Sequence, residues 1–148
     1  MTNFQDLAQW IESATADDHV FHAFADFDKS AEDRKPTVAV DLDGTLAKMY
    51  DEFDPEKIED PRRGARLVMQ ELRDAGYRLI IFTVRGDKQL VADWCDKHDI
   101  PYDYINENPD QPADASGKVI ADFYIDDRAV DARKSWRGIK QEIKDRSE

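Results

Sequence analysis

Asp41 and Asp43 stand two positions apart, directly before Gly44, where the β-branched and apolar run Thr37-Val-Ala-Val40 stops. Carboxylates so spaced around a sharp turn can be aimed into one crevice, an arrangement suited to phosphoryl chemistry and to holding a divalent cation. Gly44 lets the chain leave the strand steeply and brings backbone N–H groups close to an anion. Taken alone, Asp-x-Asp-Gly is equally well explained as a turn after a strand. The rest of the chain decides between these readings.

Two further apolar runs end in groups of the same kind. Tyr77-Arg-Leu-Ile-Ile-Phe82 stops at Thr83, with Arg85 two residues on, and Val119-Ile-Ala-Asp-Phe-Tyr-Ile125 stops at Asp126 and Asp127, with Lys118 just before it. If all three runs are parallel strands, their carboxyl ends share one edge of the sheet. There, carboxylate oxygens from Asp41, Asp43 and the Asp126–Asp127 pair, completed by waters and a phosphate oxygen, suit octahedral Mg²⁺. The Thr83 hydroxyl can hold other phosphate oxygens, and Lys118 adds positive charge for the phosphoryl group and a carboxylate nucleophile. Arg85 and Arg128 are the nearest additional cations in sequence, with substrate contact and a surface salt bridge equally weighted.

The elements that must position these groups are legible as alternating periods. Val38 to Val40, Tyr77 to Phe82, Tyr102 to Ile105 and Val119 to Ile125 read as buried strands. Between them, Gly64 to Ala75 reads as a helix with Leu67, Val68 and Leu72 inward and Gly76 as its stop. A second helix begins at an Asp87 cap, carries Leu90, Val91, Trp94 and Cys95, and ends near His98. A closing helix follows with Trp136, Ile139 and Ile143 at helical spacing. Strand–helix alternation from residue 37 onward calls for an α/β domain with a parallel sheet and helices on both faces. The stretch 106–117 has turn composition and delivers Lys118, while 47–61 is an acidic loop or flap too short for a lid domain. Met49, Tyr50 and Phe53 in that flap can touch a leaving group, although packing of the flap on itself is slightly favoured. Residues 1–36 read as a helical extension packed on the core, with Phe4, Leu7, Ile11, Val20, Phe21, Phe24 and Phe27 in amphipathic stripes. His19 and His22 there lack metal-like company.

The chain has 148 residues and a formal net charge of −12, from 33 acidic against 21 basic residues. That length suits one domain with a proper core. The acidic surplus argues against nucleic acid as a partner but not against a small phosphorylated substrate met in a locally cationic cleft. The single Cys95 excludes an internal disulfide framework and reads as a packed apolar residue. No apolar run approaches the roughly 18 residues of a membrane span, and no leader is evident, so a cytoplasmic location and no membrane partner are expected.

The chain resembles the haloacid dehalogenase-like (HAD) hydrolase superfamily on four motifs: Asp41-Leu-Asp-Gly-Thr-Leu46, Thr83 after a hydrophobic strand, Lys118, and Asp126-Asp127. The likeness covers about residues 37 to 130 and leans towards small members without a cap. It implies a Rossmann-like three-layer sandwich with no large cap domain, catalytic over 37–148, and a Mg²⁺-dependent phosphatase. It implies Asp41 as nucleophile and Asp43 as proton donor and acceptor, with the Asp43 backbone carbonyl on the metal. Asp126 and Asp127 would complete the metal site, while Thr83, Gly44, Arg85 and Lys118 would bind the phosphoryl group or substrate. An Asp two residues after the nucleophile separates phosphatases in this superfamily from dehalogenases, phosphonatases and transport ATPases. A small phosphomonoester, either a sugar phosphate or a nucleotide, is the expected substrate. The rivals are a phosphotransferase and a non-catalytic phosphate- or metal-binding regulatory module. With so short a flap the crevice is open enough for a second copy of the chain to close it as a homo-oligomer.

Overall fold

The computed structural model describes residues 35–112 and 114–148. The expected helical extension over 1–36 therefore lies, but for its last two residues, outside the described residues. In chain order the elements are β1 (Thr37–Val40), α1 (Ala65–Asp74), β2 (Arg78–Ile81), α2 (Lys88–Lys97), β3 (Tyr104–Ile105), β4 (Phe123–Ile125) and α3 (Trp136–Ser147). All four strands pair in parallel in the order β3-β2-β1-β4, with Val40 opposite Ile81 on one side and Ile125 on the other. This is the α/β architecture expected, consistent with a Rossmann-like sandwich.

The topology explains where a site must form. From β1 the chain moves outward through α1 to β2 and through α2 to β3, then returns across the sheet to add β4 on the opposite side of β1. Neighbouring connections thus diverge between β1 and β4, and a crevice opens beyond their carboxyl ends. Asp41 and Asp126 are the first residues past those two ends, tied by the Asp41 N–H donating to the Ile125 carbonyl at 2.9 Å.

The strands are short, and burial holds them. Val38, Val40, Leu79 and Ile81 point to one face and pack with Met69 of α1 and Val91, Trp94 and Cys95 of α2. Ala39 and Ile80 point to the other and meet Val119 and Ala121. Fully buried side chains such as Leu79 and Ile81 each contribute about 1.5–3 kcal/mol from removal of apolar surface from water. Cys95 lies in this core as expected, and burial pushes its thiol up to about 12. Asp87 caps α2 by accepting from the Leu90 N–H at 3.0 Å, and Gly76, at φ +95°, ends the turn after α1.

Three expectations need correction. The inward face of α1 is Ala65, Met69 and Leu72, at i, i+4 and i+7, whereas Leu67 and Val68 are 56% and 49% exposed. Leu67 projects opposite that face, and a run of adjacent apolar residues cannot all face one way on a helix. β4 is also shorter than the apolar run from Val119 suggests. Polar side chains take the main-chain groups of 119–121: Ile120 N–H donates to Gln111 Oε1 at 2.6 Å, Asn108 Nδ2 donates to the Ile120 carbonyl at 2.8 Å, and the Tyr124 hydroxyl donates to the Val119 carbonyl at 2.7 Å. Backbone so engaged cannot join a ladder until Asp122 N–H reaches the Thr37 carbonyl at 2.9 Å. Thirdly, α3 buries no residue and Trp136 is 84% exposed, so it does not close the core. Its own pairs sustain it, including Arg146 to Glu142 and Gln141 to Asp145, each four residues apart. Of the described helices, α1 and α2 pack on one face of the sheet. Among the described residues the other face is covered by the 119–121 segment.

Candidate functional site

The loop after β1 is built around Leu42, which is completely buried and so anchors the turn between its two carboxylate neighbours. Ala47 N–H donates to the Leu42 carbonyl at 2.9 Å and Gly44 N–H to the Ala47 carbonyl at 2.9 Å. Gly44 adopts φ +86°, and a Cβ there would lie 2.7 Å from Asp127 Oδ2 and 2.7 Å from Met49 Cε. Only glycine allows that conformation and that approach together.

Asp41, Asp126 and Asp127 converge, each offering a carboxylate oxygen within 4.8 Å of the others. One hydroxyl organises them. Thr45 Oγ1 donates to Asp41 Oδ2 at 3.1 Å, stands 3.4 Å from Asp127 Oδ1, and accepts the Asp127 N–H at 3.1 Å. Asp126 Oδ1 accepts the Arg128 N–H at 2.8 Å, which fixes the turn after β4. Among the described residues, none of the three carboxylates forms an ion pair. Burial, then a hydrogen bond with Asp127, push the Asp41 carboxyl up to about 6; the Thr45 hydroxyl opposes them, and the Asp126 charge adds a smaller rise. Three hard oxygen donors crowded without a counter-cation could hold a metal ion.

Asp43 faces another way. Its Oδ2 accepts from Arg85 Nε at 2.8 Å and its Oδ1 from Arg85 Nη2 at 2.9 Å, a bidentate pair. Arg85, expected as a substrate contact, is 4% exposed and engaged in this pair. Thr83 is buried nearby. Its N–H donates to Asn106 Oδ1 at 2.7 Å and its hydroxyl oxygen accepts the Arg85 N–H at 3.2 Å, which leaves the hydroxyl proton available to a ligand. Asn106 reaches that position at φ 56°, a left-handed conformation that asparagine tolerates.

Lys118 is exposed, with its Nζ 5.5 Å from the centroid of the Tyr124 ring. Among the described residues it makes no hydrogen bond or ion pair with Asp41. The flap between Ala47 and Pro61 is pinned at its base by Lys48 N–H to the Asp60 carbonyl at 2.8 Å and Arg62 N–H to the Leu46 carbonyl at 2.7 Å. Trp94 Nε1 donates to the Glu59 carbonyl at 2.9 Å. Tyr50 and Phe53 pack edge-to-face at 5.4 Å, and Met49 and Phe53 remain about half exposed at the rim.

Thr45, Asn106 and the Asp43–Arg85 pair escaped the sequence reading. Thr45 lies inside the quoted motif, and a hydroxyl two residues from a carboxylate at a turn is a signal for local bridging. The partner of Arg85 lies 42 positions away, beyond any local pattern.

No family model matches this chain, and no curated protein does. A solved structure described as the conserved protein coded by a locus from Bacteroides thetaiotaomicron matches at 28% identity and a TM-score of 0.55, covering 76% of this chain and 93% of that one. The chain shares its fold with that bacterial protein. A Vibrio cholerae structural-genomics target matches at 26% identity and a TM-score of 0.43, covering 75% of this chain and 98% of the other. A chain of the Pnkp1/Rnl/Hen1 RNA repair complex matches at 22% identity and a TM-score of 0.47, covering 64% and 37%. Of the three, the Bacteroides likeness alone passes a TM-score of 0.5 and bears on the fold. Among the described residues no helix is long and apolar enough to cross a membrane.

Proposed function

We propose that this chain is a HAD-like, Mg²⁺-dependent phosphatase that hydrolyses a small phosphomonoester, a sugar phosphate or a nucleotide. The observation that carries the reading is the meeting of Asp41, Asp126 and Asp127 at the β1–β4 crevice, with Thr83 just past the end of the neighbouring strand β2. Asp41, Asp126 and Asp127 would hold the cation through carboxylate oxygens. When bound, Mg²⁺ neutralises these carboxylates and polarises the phosphoryl group.

An Asp41 oxygen attacks phosphorus as the bond to the leaving oxygen breaks, giving an aspartyl-phosphate. Asp43 enters the step protonated and gives the leaving oxygen that proton, then, as the carboxylate paired with Arg85, takes one from the water that attacks phosphorus. That second attack releases inorganic phosphate and restores Asp41. Thr83 donates its hydroxyl proton to a phosphoryl oxygen. Lys118 supplies positive charge once it leaves the Tyr124 ring for the carboxylate edge. The half-exposed Met49 and Phe53 line the side on which a leaving group departs.

Phosphate release from sugar phosphates, nucleoside monophosphates and an aryl phosphate, with Mg²⁺ or EDTA, tests the reading. Release that requires metal and vanishes in Asp41→Asn is expected. Release that persists in that variant, or none from any compound by folded protein, would overturn it.

A further inference from the structure

Arg85 is a buried cation whose donors are nearly all engaged. Nε and Nη2 hold the two oxygens of Asp43, Nη1 donates to the Asp54 carbonyl at 2.9 Å, and Nη2 also donates to the Lys57 carbonyl at 2.9 Å. The flat face of the guanidinium lies 4.8 Å from the Phe53 ring centroid. Its own N–H meets the Thr83 hydroxyl oxygen. One side chain therefore touches the acid–base carboxylate and three residues of the flap, and its main chain orients the phosphate-side hydroxyl.

We infer that Arg85 is a positioning residue: it fixes the Asp43 carboxylate and ties the flap at 53–57 to it, so that proton transfer and the wall beside the leaving group depend on one guanidinium. This rests on the phosphatase reading. The side chain is only 2% exposed and has four N–H···O bonds, so it is placed to act through Asp43 rather than on substrate. Arginine is required because a planar fork can serve a carboxylate bidentately while offering its other edge to carbonyls. A lysine ammonium keeps the charge but cannot span those four acceptors. With both Asp43 oxygens held, the carboxylate has one orientation, as efficient proton transfer demands.

The test compares the parent with Arg85→Lys and Asp43→Asn on two esters in Mg²⁺, an alkyl phosphate whose leaving oxygen needs a proton and 4-nitrophenyl phosphate, whose leaving oxygen does not. In Arg85→Lys, kcat/KM should fall about 100-fold for the alkyl ester and less than about 10-fold for the aryl ester, the range expected for misplacing one acid–base group. Inhibition by inorganic phosphate should be unchanged. Adding Arg85→Lys to Asp43→Asn should cost the alkyl ester little more, because the two act as a unit. Equal losses on both esters would reduce Arg85 to a structural role, and weakened phosphate inhibition would make it a substrate contact; either overturns the inference.

Hydrogen exchange provides a readout without catalysis. The amides of Asp54, Glu56 and Lys57 should exchange faster in Asp43→Asn, which releases the guanidinium fork even if Arg85→Lys fails to fold, and unchanged exchange there would sever the link. Hydrolysis of neither ester by the parent would sink the phosphatase reading, and the tether between Asp43 and the flap would then be judged by exchange alone.

Discussion

The two carboxylate groups of the β1 turn, two residues apart, inhabit opposite environments. Asp43 is paired bidentately with a buried arginine, whereas Asp41 meets Asp126 and Asp127 and forms no ion pair among the described residues. One half of the site has its charge balanced by the protein; the other forms no ion pair among the described residues and could take a cation. The turn itself makes the distinction. Leu42, buried between the two aspartates, anchors that turn, with Asp41 meeting Asp126 and Asp127 past β4 and Asp43 meeting Arg85 past β2.

Gly44→Ala should disturb that division most. The substitution strains φ +86° and drives a methyl into Asp127 Oδ2, so metal affinity should fall about 100-fold and stability by about 1–3 kcal/mol. Paired calorimetric and thermal titrations would measure both. Thr45→Val removes the hydroxyl that joins Asp41 to Asp127 without touching Asp43. Metal affinity should drop about 10-fold, while exchange of the flap amides stays at the parent rate.

Acid should separate the halves as well. The folded chain holds the Asp41 proton up to about 6, against an ordinary 3.8, so between these values it binds more protons than the unfolded chain does. Metal-free stability should therefore decline as pH rises through that window, because ionising Asp41 in place is unfavourable. A cation competes for the same oxygens. Its affinity should climb over the same window and level off above about 6, which a pH series of metal titrations would show. The smallest effect belongs to Trp136→Ala. An 84% exposed side chain on a helix with no buried residue should change unfolding free energy by less than about 0.5 kcal/mol.

What the sequence made legible follows from the same physics. The β1 run and the groups after it could be read because a doubly buried strand is apolar on both faces and stops where polar chemistry begins. The parallel sheet followed from the alternation of periods. Burial direction in α1 was not readable from Leu67 and Val68, since adjacent apolar residues give no phase; Met69 decides it by contact. The reach of β4 was hidden because Gln111, Asn108 and Tyr124 take backbone groups that a ladder would use, a competition no local pattern records. Lys118 was placed by its order in the chain, and its resting place over Tyr124 depends on where that segment leaves the sheet. The Arg85–Asp43 pair needed the fold, because it joins the turn after β1 to the one after β2.

The most direct measurement is a calorimetric titration of Mg²⁺ into the parent chain, Asp126→Asn and Asp43→Asn. One site in the parent, lost in Asp126→Asn and kept within a few-fold in Asp43→Asn, is the predicted result. No binding by the parent, or equal loss in both variants, would contradict the division of the site into a cation-seeking half and an arginine-held half.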